Sequence, residues 1–176
     1  MRHGRHAAIL TAGWIRRYNA MRMIKGEAMM ITHSAEETRA LGKKLAAHLK
    51  AGDIVLLQGD LGAGKSEFAR GVARGLDIQG PVPSPSFTIL NAYDEGRIPL
   101  YHFDWYRLES AQEIYEMGME EQLGGDGIAL IEWSERAKEC LPGRLLEIVI
   151  HTIDESTREI TFIPHDGFSF QEEMLQ

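Results

Sequence analysis

Apolar residues recur along this chain in two rhythms, one helical and one strand-like, that replace each other in order. Thr38, Leu41, Leu45 and Leu49 follow at helical spacing behind Ser34-Ala35-Glu36-Glu37, which reads as a capping box and predicts a helix ending near Gly52. Residues 53–58 then form a continuous apolar run with a β-branched start and a glycine stop, as expected for a strand buried on both faces. A glycine-rich turn follows, then a second amphipathic segment with Phe68, Val72 and Leu76 four apart. Residues 87–93 and 98–106 predict strands joined by a turn at Asp94-Glu95-Gly96-Arg97. Ser110-Ala111-Gln112-Glu113 opens another capping box, for a short helix carrying Ile114 and Met117. Residues 127–133 predict a second buried strand, followed by a helix to about Cys140 that stops at Leu141-Pro142-Gly143. Residues 145–153 and 158–163 predict a hairpin around Asp154-Glu155-Ser156. With no internal repeat and no low-complexity linker, the pattern predicts an α/β fold whose mixed parallel/antiparallel sheet is flanked by helices.

Composition narrows the picture. The chain has 176 residues, 44% of them hydrophobic, enough for the core of one soluble domain. Its net charge of -7 argues against a protein that grips nucleic acid alone, since such binding rests on many Lys and Arg contacts to phosphate. The single cysteine, Cys140, excludes a disulfide framework and a cysteine-based zinc site, and suits a reduced, cytoplasmic setting. The charge is unevenly spread. Residues 1–30 hold six basic side chains against Glu27, or +5, which leaves 13 basic and 25 acidic residues, or -12, for the rest. The apolar patches of this leader are too short and too interrupted by Gly13 and Arg16 for a membrane span or a secretory core. The adjacent Met29 and Met30 lie just before the first helix. The expected organisation is therefore a basic, disordered extension over 1–29, a working domain over 30–165 and a tail over 166–176.

Gly59-Asp60-Leu61-Gly62-Ala63-Gly64-Lys65-Ser66 matches a phosphate-binding loop at every fixed position, between a predicted strand and a predicted helix as the motif requires. Glycines let the backbone wrap close to phosphate with its N–H groups inward, and the helix that follows presents its positive dipole end. Lys65 is expected to reach the β- and γ-phosphates of a nucleotide, and the Ser66 hydroxyl to be one ligand of Mg²⁺. Such a site needs an acid at a nearby strand end, and two are present, Asp104 and Glu132. The period of two places His102 on the face of Asp104, where a packed, hydrogen-bonded ring is as natural as a functional one. Ser84, Ser86 and Thr88 lie on a loop fixed by Pro83 and Pro85, and three hydroxyls there would suit a switch loop as well as a plain connector.

Together with Ser84-Pro85-Ser86-Phe87-Thr88, Tyr101-His102-Phe103-Asp104-Trp105-Tyr106-Arg107-Leu108 and Ile131-Glu132-Trp133, this loop closely resembles the bacterial TsaE (YjeE) family over about residues 30–163. The resemblance implies a P-loop NTPase fold and an ATPase required for threonylcarbamoyladenosine modification of adenosine 37 in tRNAs reading codons that begin with A. It also implies action on a TsaB–TsaD pair, with tRNA contacted mainly through those partners and no membrane association. ATP and Mg²⁺ are the cofactors it implies. Its catalytic residues are Lys65, Asp104 and Glu132, with Ser66, Asp104 and Glu132 grouped around the metal and the direct carboxylate ligand left open. Its nucleotide-binding residues are Thr38, Gly62, Ala63, Gly64, Lys65, Ser66, Glu67 and Trp133. Serine stands at 66 and 86 where the family usually has threonine, and Ser134 where it usually has proline. Two other readings fit a P-loop: a small-molecule kinase, for which Arg97, Arg107 and Arg136 are the scattered lid candidates, and a nucleotide-dependent binding module without turnover.

Overall fold

The computed structural model describes residues 22–24 and 26–175. Its first helix, α1 (Ala35–Ala46), starts where the capping residues require. The Ser34 hydroxyl accepts from the Glu37 N–H at 3.1 Å, and the Glu37 carboxylate reaches back to the His33 N–H at 2.7 Å. Ile54–Gln58 forms β3, and the glycine loop leads from it into α2 (Lys65–Gly75). Downstream come β4 (Leu90–Tyr93), β5 (Leu100–Asp104), the short α3 (Gln112–Glu116), β6 (Ile128–Glu132), β7 (Leu146–Thr152) and β8 (Arg158–Pro164). Ahead of α1 stand β1 (Arg22–Ile24) and β2 (Glu27–Thr32).

The strands make one sheet in the order β1-β2-β8-β7-β3-β6-β5-β4. Its centre, β7-β3-β6-β5, is parallel, and antiparallel strands flank it: β8, β2 and β1 on one side, β4 on the other. Strict alternation divides the core between two faces. Val55, Leu57, Leu130, Ile148 and Phe162 face α1 and α2, where Phe68, Val72 and Leu45 are fully buried. Ile54, Leu56, Phe103, Ala129 and Ile131 face the other way, onto Trp105, Leu108 and Ile114. The two helices approach so closely that a Cβ on Gly71 would lie 2.1 Å from the Arg39 carbonyl oxygen, which only glycine allows.

Three expectations are corrected. The folded unit does not begin at residue 30. β2 starts at Glu27 and pairs Ala28 to Thr32 with Phe162 to Arg158, Ala28 is fully buried, and β1 adds three further residues to the same sheet. An open edge on β8 would leave its ladder groups unpaired, and residues 27–32 close it. The disorder expected for residues 1–21 concerns positions outside the described residues. Nor is 166–176 a free tail, since Phe168, Met174 and Leu175 are buried in the α1–α2 layer and Phe170 stacks on Phe162 at 5.6 Å. Finally, the helix expected up to Cys140 is two 3₁₀ turns, Ser134–Arg136 and Lys138–Cys140. Trp133 at φ 59° and Ala137 at φ −148° break the helical path on both sides of the first turn.

Candidate phosphate-binding site

The parallel strands β3, β6 and β5 end side by side, which is where open α/β sheets place their ligands. Beyond β3 the chain turns at Gly59, whose φ of 142° and whose closeness to Ile150 both demand glycine: a Cβ there would sit 2.5 Å from the Ile150 carbonyl oxygen. Gly62, Ala63 and Gly64 complete the loop, and Gly64 is the N-cap of α2. Lys65 turns back over it. Its Nζ donates to the carbonyls of Gly59 at 2.6 Å and Asp60 at 3.0 Å and lies 4.3 Å from the centre of the Trp133 ring. Burial draws the Lys65 pKa below the ordinary lysine value, against the opposing pull of Glu132, Asp104, Glu135 and Asp60.

Register brings the two acids together. Asp104 of β5 pairs directly with Glu132 of β6, and both are buried. Asp104 accepts from the Ser86 hydroxyl at 2.7 Å, from the Ser84 hydroxyl at 3.4 Å and, on its other oxygen, from the Tyr106 N–H at 3.0 Å. Glu132 Oε1 lies 3.0 Å from Nε2 of the buried His102. A cavity of about 280 Å³ is lined by Gly62, Gly64, Lys65, Ser66, Glu67, Ser84, Ser86, Asp104, Glu132 and Trp133, with Leu61 at its edge. A larger groove of about 890 Å³ between α1, α2 and residues 79–83 shares neither the loop, nor Lys65, nor the acids.

Two of the expected residues stand apart. Thr88 is exposed and bonds Asn91 at 2.8 Å, so only Ser84 and Ser86 of that loop reach Asp104. Thr38 packs its methyl near Gly64, but its hydroxyl is bound to Thr32 at 2.8 Å and Ser34 at 3.2 Å. Glu67 lines the cavity while bridging Arg39 and Arg70 in an ion-pair triplet. The loop that carries the serines is itself anchored. Arg107 donates to the Ser86 carbonyl at 2.8 Å and lies 4.7 Å from the centre of the Phe87 ring, and Arg70 donates to the Val82 carbonyl at 3.3 Å. The strand expected from residue 87 starts only at Leu90, because the turn accepted by the Pro85 carbonyl and the positive φ of Ile89 (66°) keep Phe87 and Thr88 out of the ladder.

Sequence reasoning missed Arg158 and the Gln58–Ser134 link. Arg158, on β8, donates to the Ala63 carbonyl at 2.8 Å, far away in sequence and without any local signal. The Gln58 amide donates to the Ser134 hydroxyl at 2.6 Å, tying the end of β3 to the turn after Trp133. Arg97 is spent on the carbonyls of Ala46 and Leu49, and Arg136 lies over Tyr106, so the three arginines do not assemble into a lid.

Among the described residues no three His, Cys, Asp or Glu side chains converge as a metal cluster, and no helix is long and apolar enough to cross a membrane. Comparison with known proteins gives a consistent answer. The profile of the family described as threonylcarbamoyl adenosine biosynthesis protein TsaE matches residues 32–160. A Bacillus subtilis protein named tRNA threonylcarbamoyladenosine biosynthesis protein TsaE is 47% identical over 131 residues, 74% of this chain and 82% of its own. The protein of that name from Treponema pallidum is 40% identical over 131 residues, 74% of this chain and 96% of its own. The crystal structure of Bacillus subtilis YdiB superposes with a TM-score of 0.71 at 41% identity, covering 82% of this chain and 89% of that one. A match spanning the glycine loop, both acids and Arg158, with relatives of this identity over most of their length, means that the chain belongs to the TsaE family of tRNA threonylcarbamoyladenosine biosynthesis.

Proposed function

We propose that this chain is a magnesium-dependent ATPase of the cytoplasm that acts on a TsaB–TsaD pair during threonylcarbamoyladenosine formation, with tRNA contacted through those partners. The observation that carries the reading is the convergence of Lys65, Ser66, Asp104 and Glu132 on one cavity at the mouth of a glycine loop. The donor set fits a metal held between nucleotide and protein: a hydroxyl and one or two carboxylates, with phosphate oxygens and water left to complete an octahedron. Ser66 and Asp104 would hold Mg²⁺, which when bound would draw charge from the β- and γ-phosphates.

The chain's own groups define the rest. Lys65 exchanges two loop carbonyls for phosphate oxygens, a gain because the acceptors then carry charge. Loop N–H groups and the start of α2 supply further positive potential. Glu132, which lines the same cavity, would orient water toward the γ-phosphate and take up its proton. Leu61 and Phe87 are almost fully exposed beside the cavity, 91% and 86%, and give a partner an apolar rim from which to read the loop. The kinase reading has less support, because among the described residues Arg97, Arg107 and Arg136 do not assemble into a lid.

The test joins the chain to TsaB and TsaD with ATP, Mg²⁺ and tRNA, and measures ATP hydrolysis and threonylcarbamoyl transfer. Transfer that depends on the wild-type chain and is lost with Lys65→Ala is the expected result. Transfer unaffected by that variant, or labelled phosphate passed to a metabolite instead of water, would overturn the reading.

A further inference from the structure

His102 is more than packing. Its ring is buried at 1% exposure, Nε2 faces Glu132 Oε1 at 3.0 Å, and Nδ1 has no hydrogen-bond partner. A buried polar atom left without a partner is costly, and an apolar side chain would fill the same position without that cost. Only one neutral tautomer suits the surroundings. With the proton on Nδ1, a donor would be orphaned while the Nε2 lone pair faced a carboxylate oxygen; with the proton on Nε2, the ring donates to Glu132 and only an acceptor is left over.

Register explains the reach. His102 pairs with Leu130 and Asp104 with Glu132, so the imidazole lies one pleat behind the two acids on their own face of the sheet. Among the described residues, Glu132 Oε2 has no hydrogen-bond partner, and Glu132 lines the cavity beside Lys65 and Ser66.

We propose that His102 is a positioning residue for Glu132: its Nε2–H occupies Oε1, fixes the carboxylate rotamer and leaves Oε2 as the single oxygen offered to the cavity. The inference rests on the ATPase reading for its kinetic consequence, but the hydrogen bond itself can be observed without turnover.

Two measurements test it, both on the full chain. In the ¹⁵N NMR spectrum of the nucleotide-free protein labelled at its seven histidines, the ring signal that vanishes in His102→Gln identifies His102. It should report a ring that carries a proton on Nε2, and that signal should move in Glu132→Gln. A ring without a proton on Nε2, or a signal unmoved by Glu132→Gln, overturns the proposal. In steady-state hydrolysis, His102→Leu should lower kcat by about ten- to a hundredfold, the range for lost outer-shell partners, with KM for ATP within about twofold. His102→Gln, which keeps an N–H donor, should recover most of that loss. In a Glu132→Gln background, His102→Leu should add nothing; an equal loss in both backgrounds overturns the positioning role. A wild-type chain without hydrolysis, alone or with TsaB and TsaD, would sink the ATPase reading, while the NMR result still decides the hydrogen bond.

Discussion

Arg158 Nε donates to the carbonyl of Ala63 across 2.8 Å, so a side chain from the β7–β8 hairpin holds the phosphate loop. The same guanidinium also donates to the carbonyls of Asp154 and Thr157 at 2.8 and 3.0 Å, tying the hairpin end to the loop. Replacing Arg158 by Leu should free the loop and weaken nucleotide binding by about tenfold, the effect of roughly 1.4 kcal/mol. Titration calorimetry with ADP measures it, and unchanged affinity would remove Arg158 from the site.

Lys65 is expected to be indispensable for binding. Lys65→Ala should reduce nucleotide affinity on the order of a hundredfold, because a charge-assisted contact to phosphate is lost. Since Lys65 Nζ stands over the Trp133 ring, nucleotide binding to the wild-type chain should also change Trp133 emission. A change that persists in Trp133→Phe must come from elsewhere.

The acids should fail differently. Asp104→Asn is expected to reduce Mg²⁺-dependent turnover on the order of a hundredfold. Glu132→Gln should leave ATP affinity near wild type while hydrolysis slows, as the loss of a base predicts. Parallel binding and turnover assays separate the two, and full activity in both variants would return them to ordinary buried carboxylates.

Gly71→Ala should destabilise the fold, since its new methyl meets the Arg39 carbonyl oxygen at 2.1 Å and α1 cannot yield without disturbing Leu41 and Leu45. A loss of about 1–3 kcal/mol in urea unfolding is expected for such overpacking.

Asp154 gives the hairpin a pH signature. Backbone N–H groups of Ser156 and Thr157 hold its carboxyl below the ordinary aspartate value. In the window between the folded and unfolded values the unfolded chain binds more protons, so stability rises with pH. The stability gap between wild type and Asp154→Ala should thus be full above the ordinary carboxylate range and vanish as pH falls through the lowered folded value. A gap that does not vary with pH would assign the effect of Asp154 to packing alone.

Much of the site was legible because its chemistry is local. The loop from Gly59 to Ser66 declares itself by spacing, and Asp104 and Glu132 end apolar runs that the register of β5 on β6 then sets side by side. What escaped was set by distant partners. Glu27 to Met29 looked like leader because they become strand only when β8 needs a second neighbour, and Phe168, Met174 and Leu175 became core because the helix layer offered them a surface. Thr88 shares the composition of Ser84 and Ser86, but a turn at Pro85 and the positive φ of Ile89 send it the other way. The helix after Trp133 failed because neither Trp133 nor Ala137 holds a helical conformation, which no periodicity reveals.

The grip of Ser84 and Ser86 on Asp104 makes one carboxylate the meeting point of two competitors. A cation that took the Oδ2 lone pairs held by Ser84 and Ser86 would release the serine loop, and a protein that drew that loop outward by Phe87 would free those lone pairs for a cation. Thermodynamic reciprocity then fixes the exchange: the factor by which the cation changes the affinity for that protein equals the factor by which the protein changes the affinity for the cation.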